Sequence, residues 1–169
     1  MVADDIAKWL DEKGIHTVFG IVGGGNTEIF TAISKLGKTE IVCVHHEQAA
    51  VMAAAYFHRV SGVLSAALVT TGAGSTNAIT GVVAAYMDSI PVLVISGNEG
   101  SKHMDKPLRV WGVQGYDSSE MVRKWTVYSN RVMEPRNAVP CLEAAYQSAL
   151  YNRQGPAWVD IPKDIQSVG

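Results

Sequence analysis

Apolar positions along the chain change their period repeatedly, and each change marks an element. Ile6 and Leu10, with Trp9 beside them, put an apolar stripe on a first helix that Gly14 ends. "HTVFGIV" then reads as a strand stopped by Gly23, Gly24 and Gly25. Asn26 is placed to cap a helix over "TEIFTAISKLG", closed by Gly37. The alternation continues with strand "EIVCVH", helix "EQAAVMAAAYFHRV", strand "LSAALVTT", helix "STNAITGVVAAYM" and strand "PVLVISG". A polar loop over 98–116 follows. Beyond it the pattern predicts a short helix near "SSEMVRK", a strand "WTVYS", a helix over "AVPCLEAAYQSALY" and a last strand "PAWVDIP".

Several of these strands are unbroken apolar runs, as a sheet covered on both faces requires. Strands alternating with helices give an α/β domain: a parallel sheet of about six strands with helices on both faces. No repeat, low-complexity segment or linker divides the 169 residues, so 1–169 reads as a single domain. Ligands of such sheets gather at the carboxyl ends of the strands. That singles out three loops, at 20–26, 45–47 and 70–77.

Composition narrows the class. The chain is 47% hydrophobic and 18% charged with a net charge of −2, and it has no basic run. That balance gives no electrostatic footprint for nucleic acid. Between Val60 and Met87 lie 28 residues without a charge, but "TTGAGSTN" interrupts them with glycines and hydroxyls, which suits a strand–loop–helix rather than a membrane span. The first residues are amphipathic and acidic, unlike a secretory signal. A soluble cytoplasmic protein is expected. Cys43 and Cys141 lie in apolar contexts with no C-x-x-C, so both are expected to be buried free thiols.

Taken singly, each glycine loop has a structural reading and a functional one. "TTGAGSTN" matches two glycines of a dinucleotide fingerprint but has Asn77 where the third should stand, and the ribose-binding acid is missing. Taken alone, the loop reads more readily as a tight turn than as a nucleotide site. "GIVGGGN" also serves as a turn or lets a ligand approach the backbone. Ser75 lacks the glycine that a nucleophile elbow needs after it. His45 and His46 are neighbours, and no H-E-x-x-H occurs, so no metal site is read in this chain. Glu47 opens a long apolar helix. A first-turn acid there complements the helix dipole, while burial would make it costly unless it served some partner.

In order, "GIHTVFGIVGGGNTEIF", "HHEQAAVMAAAYFHRVSG", "TTGAGSTNAITGVVAAYMDSIPVLVISG", "VQGYD" and "GPAWVDIPKDIQ" resemble the pyrimidine-binding domain of thiamine diphosphate enzymes. The branch is that of acetolactate synthase and the 2-oxo-acid decarboxylases, and the resemblance runs from about Asp4 to Gln166. It implies that Glu47, in H-E-Q, bonds the N1′ nitrogen of the cofactor's aminopyrimidine. That bond favours the imino tautomer that removes the thiazolium C2 proton to give the ylide. It implies further that Ile21 and Val22 approach the pyrimidine or a facing loop, with Val22 where relatives carry proline. Ala73 and Asn77 would lie against the aminopyrimidine across a subunit boundary, Ala73 again replacing proline. Gln114 would face the substrate side; Val113 and Gly115 depart from the family's F-Q-E, which weakens any transfer of substrate choice. Asp88, Ser89 and Pro91 match a D-S-x-P block, read as a turn.

The family holds the diphosphate through a divalent metal, Mg²⁺, with a G-D-G motif that is missing from these 169 residues. Those ligands are therefore expected on a diphosphate-binding domain or subunit that partners this one. Such a chain would be inactive alone and would work in a homo- or hetero-oligomer on a small 2-oxo acid, by decarboxylation or carboligation. Apolar surface on the helices around 49–56 and 77–87 would be interface. Two other classes stay open: a non-catalytic assembly or regulatory module of the same fold, and an NAD-binding oxidoreductase domain resting only on "GAGSTN".

Overall fold

The computed structural model describes residues 1–104 and 107–169. Six strands form one sheet in the order β2-β1-β3-β4-β6-β5, and every neighbouring pair is parallel. They are β1 (Thr17–Gly20), β2 (Glu40–Cys43), β3 (Ala66–Val69), β4 (Val92–Asn98), β5 (Tyr128–Arg131) and β6 (Pro156–Pro162). Between and around them run α1 (Val2–Glu12), α2 (Thr27–Leu36), α3 (Glu47–Ser61), α4 (Ala73–Met87), α5 (Ser118–Val122), α6 (Ala138–Leu150) and α7 (Lys163–Gln166).

The alternation of side chains along the central strands sorts the core into two layers. Ala66 and Leu68 of β3, Leu93 and Ile95 of β4, and Ala157 and Val159 of β6 meet α1, α2 and α6 through Ile6, Leu10, Ile29, Ile33 and Leu142. The residues between them, Ala67, Val69, Val92, Val94 and Trp158, meet Ala50, Ala54, Ala78 and Val82 of α3 and α4. β3, β4 and β6 are buried throughout, which explains their unbroken apolar runs. The sheet is thus the doubly covered parallel sheet that the alternation predicts.

α2 and α3 both close on glycines in the left-handed region, Gly37 at φ 66° and Gly62 at φ 73°. Other local expectations are corrected. Asn26 stands at the start of α2 but does not cap it: its Oδ1 accepts from Gly23 N–H (2.8 Å) and its Nδ2 donates to the Ile21 carbonyl (3.2 Å). The side chain knits the glycine loop together instead. α4 begins at Ala73, so most of the expected 70–77 loop is helix. β5 lies three residues later than "WTVYS" because it is an edge strand with the polar sequence Tyr-Ser-Asn-Arg, which carries no apolar run to read. α7 is too short to leave a periodic signal.

Both cysteines are free, but neither is buried. Cys43 ends the edge strand β2 and is exposed, and Cys141 is half-buried on α6. The apolar residues around Cys43 in sequence do not cover it, since an edge strand has a neighbour on one side only. Ser89 adopts φ 53° in the turn before β4, held by Arg153, whose Nε donates to Ser89 Oγ (3.1 Å) and Nη2 to the Tyr86 carbonyl (2.8 Å). Among the described residues no helix is long and apolar enough to cross a membrane.

Candidate functional site

The chain leaves β1 toward β2 on one side of the sheet and returns past it to β3 on the other. The loops after β1 and β3 therefore diverge at their shared boundary, the place where open parallel sheets form a crevice. Thr70 fills that boundary. Its Oγ1 accepts from Gly25 N–H of the β1 loop (3.0 Å), and its Cγ2 packs where a side chain on Gly74 would stand (2.7 Å). Ile21 is half-buried in this β1 loop, its N–H bonded to the Leu68 carbonyl (3.3 Å), and Val22 is 55% exposed.

Glu47 comes to the same crevice from the end of β2. His46 is the N-cap of α3 in extended conformation, and its Nδ1 accepts from Gln48 N–H (3.2 Å), so Glu47 is the first helical residue. Both readings of this acid hold in part: it sits in the first turn, as the helix dipole favours, yet it is only 7% exposed. Asn77, in the second turn of α4, donates from Nδ2 to Glu47 Oε2 (2.9 Å). The other oxygen, Oε1, faces Gly74, where even a methyl group would stand 3.2 Å away. A carboxylate so enclosed, with one oxygen committed to an amide and the other beside bare backbone, can accept a hydrogen bond from a flat ring placed against it.

Ala73 is exposed at the first position of α4, and Asn77 is half-buried below it. The structure thus brings Glu47, Ala73 and Asn77 to one crevice rim, with Ile21 and Val22 on the adjoining β1 loop. Gln114 approaches α4 from the far side. It is exposed, donates from Nε2 to the Thr71 carbonyl (3.1 Å), and lays its side chain over Gly72. Among the described residues no three His, Cys, Asp or Glu side chains come together as a metal-binding group.

Behind this rim lies a buried polar network for which the sequence reading assigned no role. Asp160 of β6 is wholly buried, and its Oδ2 accepts from Asn98 Nδ2 of β4 (2.7 Å). Burial pushes its carboxyl up to about 6, with the Asn98 amide and the Arg131 charge working the other way. Asn98 Nδ2 also reaches the Tyr116 carbonyl (3.0 Å). Arg131 pairs with Asp117 (3.0 Å) and lies over the Trp111 ring (4.7 Å to its centre). Burial would raise Asp117, but bonds from Glu120 N–H, Ser119 and Arg131 outweigh it and hold the carboxyl below its usual range. The signal in the sequence was the polar residue ending an apolar strand, Asn98 in one and Asp160 within the other.

Residues 1–124 match the family described as "Thiamine pyrophosphate enzyme, N-terminal TPP binding domain". Among curated relatives, the acetolactate synthase isozyme 3 large subunit of Escherichia coli (strain K12) is 37% identical over 166 residues, 96% of this chain and 28% of that protein. The acetolactate synthase large subunit of Haemophilus influenzae is 38% identical over 162 residues, again 96% of this chain and 28% of the relative. A chloroplastic acetolactate synthase of Arabidopsis thaliana is 33% identical over 167 residues, 97% of this chain and 24% of the relative. The chain therefore spans about a quarter of the length of these relatives. With the matched residues covering the crevice loops and the acid between them, the chain belongs to the thiamine pyrophosphate enzyme family, as an N-terminal TPP-binding domain.

Proposed function

We propose that this chain is the pyrimidine-binding component of a thiamine diphosphate-dependent enzyme acting on 2-oxo acids, by decarboxylation, carboligation or both. The observation that carries the reading is the enclosed Glu47 carboxylate at the sheet crevice, with Asn77 on one oxygen and Gly74 against the other. When bound, thiamine diphosphate supplies an electron sink for making and breaking bonds beside a carbonyl.

The protein's part is positional and electrostatic. By claiming Oε2, Asn77 fixes the rotation of the carboxylate and leaves Oε1 to share a proton with the cofactor's ring nitrogen. Near-complete burial strengthens that charge-assisted bond, because little water competes for it. Ala73, Ile21 and Val22 provide apolar surface for the ring, and Gln114 stands toward the substrate side. Mg²⁺ and the diphosphate belong to a partner domain or subunit, in keeping with relatives that are more than three times as long. The uncovered stripe of α3 and α4, with Tyr56 53% and Met87 60% exposed, is where we place that partner.

The test is proton exchange at C2 of thiamine diphosphate, measured with the chain assembled on its diphosphate-binding partner and Mg²⁺. Glu47→Gln keeps the bond from Asn77 but offers no ionisable oxygen, so exchange should fall by orders of magnitude while cofactor affinity changes little. Exchange at the parent rate in Glu47→Gln would overturn the reading.

A further inference from the structure

Tyr116 stands where the crevice and the buried network meet. Its hydroxyl lies 2.7 Å from Ser75 Oγ in the first turn of α4. Ser75 has a single hydroxyl proton, which goes to the Gly72 carbonyl (2.9 Å). The Tyr116 hydroxyl must then be the donor to Ser75 Oγ. Burial raises the Tyr116 phenol, opposed by the Ser75 bond and aided by the Asp160 charge, so it keeps its proton at neutral pH.

Tyr116 does not act alone on this turn. Its carbonyl is held by Asn98 Nδ2, which is in turn anchored on Asp160. Two residues earlier, Gln114 bonds the Thr71 carbonyl and covers Gly72, whose φ of 71° starts α4. The turn that carries Gln114 is closed by paired bonds between Trp111 and Gly115 (2.8 and 2.7 Å). The start of α4 is thus held by one loop at two points, Gln114 over Gly72 and Tyr116 on Ser75, with the wholly buried Asp160 carboxyl behind Asn98.

We infer that Tyr116 is a positioning residue: through Ser75 it sets the rotation and depth of the first turns of α4, and so the contact of Asn77 with Glu47. This rests on the reading of Glu47 given above and adds a residue to it. Nothing in that reading needed a tyrosine here, and the hydroxyl touches neither Glu47 nor Asn77. Its effect must travel along the helix start.

The experiment uses the full 169-residue chain labelled for NMR, without cofactor. In Tyr116→Phe, amide exchange at Ser75 and Thr76, both bonded to the Gly72 carbonyl (3.1 Å each), should quicken roughly fivefold, the loss of about one hydrogen bond. The Asn77 side-chain amide resonance and the Glu47 side-chain carboxyl resonance should both move. Ser75→Ala, which also removes the bond to the Gly72 carbonyl, should shift them at least as far, and the double variant should add nothing to Ser75→Ala, because the Tyr116 hydroxyl acts through Ser75. Simple loosening would quicken exchange while leaving Glu47 where it was.

If the Glu47 carboxyl resonance is unmoved in Tyr116→Phe and Ser75→Ala but moves in Asn77→Ala, the inference about Tyr116 falls and the Glu47–Asn77 pair stands. If it is unmoved in all three, the pair itself falls, and the proposed function with it. Should Tyr116→Phe not fold, Ser75→Ala alone carries the comparison.

Discussion

Asn77 Nδ2 and Glu47 Oε2, 2.9 Å apart, join the starts of two helices that leave the sheet from different strands. The pairing is one of unlike burdens. An amide can donate without carrying charge, so it orients the carboxylate without neutralising it. Arginine would have paired the charge more strongly and taken both oxygens. The choice of asparagine leaves the acid free to act on something else.

The same pair yields a prediction from its near-isostere. Asn77→Asp would set a second carboxylate where the donor was, and two such groups at this distance do not both ionise readily. The pair should retain one proton well above the ordinary carboxylate range. Urea unfolding should find Asn77→Asp less stable than Asn77→Ala at pH 8 by about 1 kcal/mol or more. That gap should close by pH 5, as the shared proton is restored. A gap independent of pH would argue that the two side chains do not meet.

Asp160 makes the stability of the chain depend on pH in an uncommon direction. Its folded-state pKa of about 6 stands above its ordinary 3.8, so the folded chain binds the proton more tightly than the unfolded one. This group's contribution is fully present below pH 3.8 and is lost as pH rises through about 6, a change of about 3 kcal/mol for a shift of this size. Glu143 runs the other way. Bonds from Lys13, Gln147 and Trp9 hold it down at about 2, so its contribution is present above its ordinary 4.5 and lost as pH falls toward 2. Asp160→Asn should remove most of the decline between pH 4 and 7 expected in denaturant midpoints of the parent. An unchanged slope would show that Asp160 does not titrate there.

Gly97 and Gly25 test how the crevice loop is seated. A Cβ on Gly97 would collide with the Gly25 carbonyl, which is itself held by Gln166 Nε2 (2.7 Å). Backbone cannot swing aside as a side chain can, so Gly97→Ala should cost about 2–3 kcal/mol in denaturant unfolding. Gly100→Ala is the control. Its nearest neighbour would be the Asp164 carboxyl at 3.7 Å, ordinary contact, and its effect should stay within about 0.5 kcal/mol.

How far these features were legible differs by kind. The strands β3, β4 and β6 announced themselves because both faces are buried and, Asn98 and Asp160 apart, every position is apolar or small. The edges did not: β5 has no apolar run, and Cys43 is exposed although its sequence neighbours are apolar. Glu47 was legible as an anomaly, an acid opening an apolar helix, and the H-E-Q context gave it a role. Asn77 was singled out through the resemblance as a cofactor contact, but its bond to Glu47 was not legible, since thirty residues separate the two. Gln166 and Tyr116 left no local signal. Their importance lies in contacts with Gly25 and Ser75, which only the folded sheet brings within reach.

Thr70 carries the last prediction, because its side chain touches both glycine loops. Its hydroxyl receives the Gly25 N–H, while its methyl fills the space beside Gly74 and so backs the wall against Glu47. Thr70→Val keeps the shape and removes the acceptor, leaving Gly25 N–H without its partner at a cost of about 1–2 kcal/mol. Exchange of the Gly25 amide should accelerate well beyond that of β3 amides such as Val69, while the Asn77–Glu47 contact persists. Thr70→Ser should do the converse, restoring the Gly25 bond and opening a gap beside Gly74 that lets the Glu47 side chain move. Should both variants disturb the two loops alike, Thr70 would be filling space only, and the crevice would draw its shape from elsewhere.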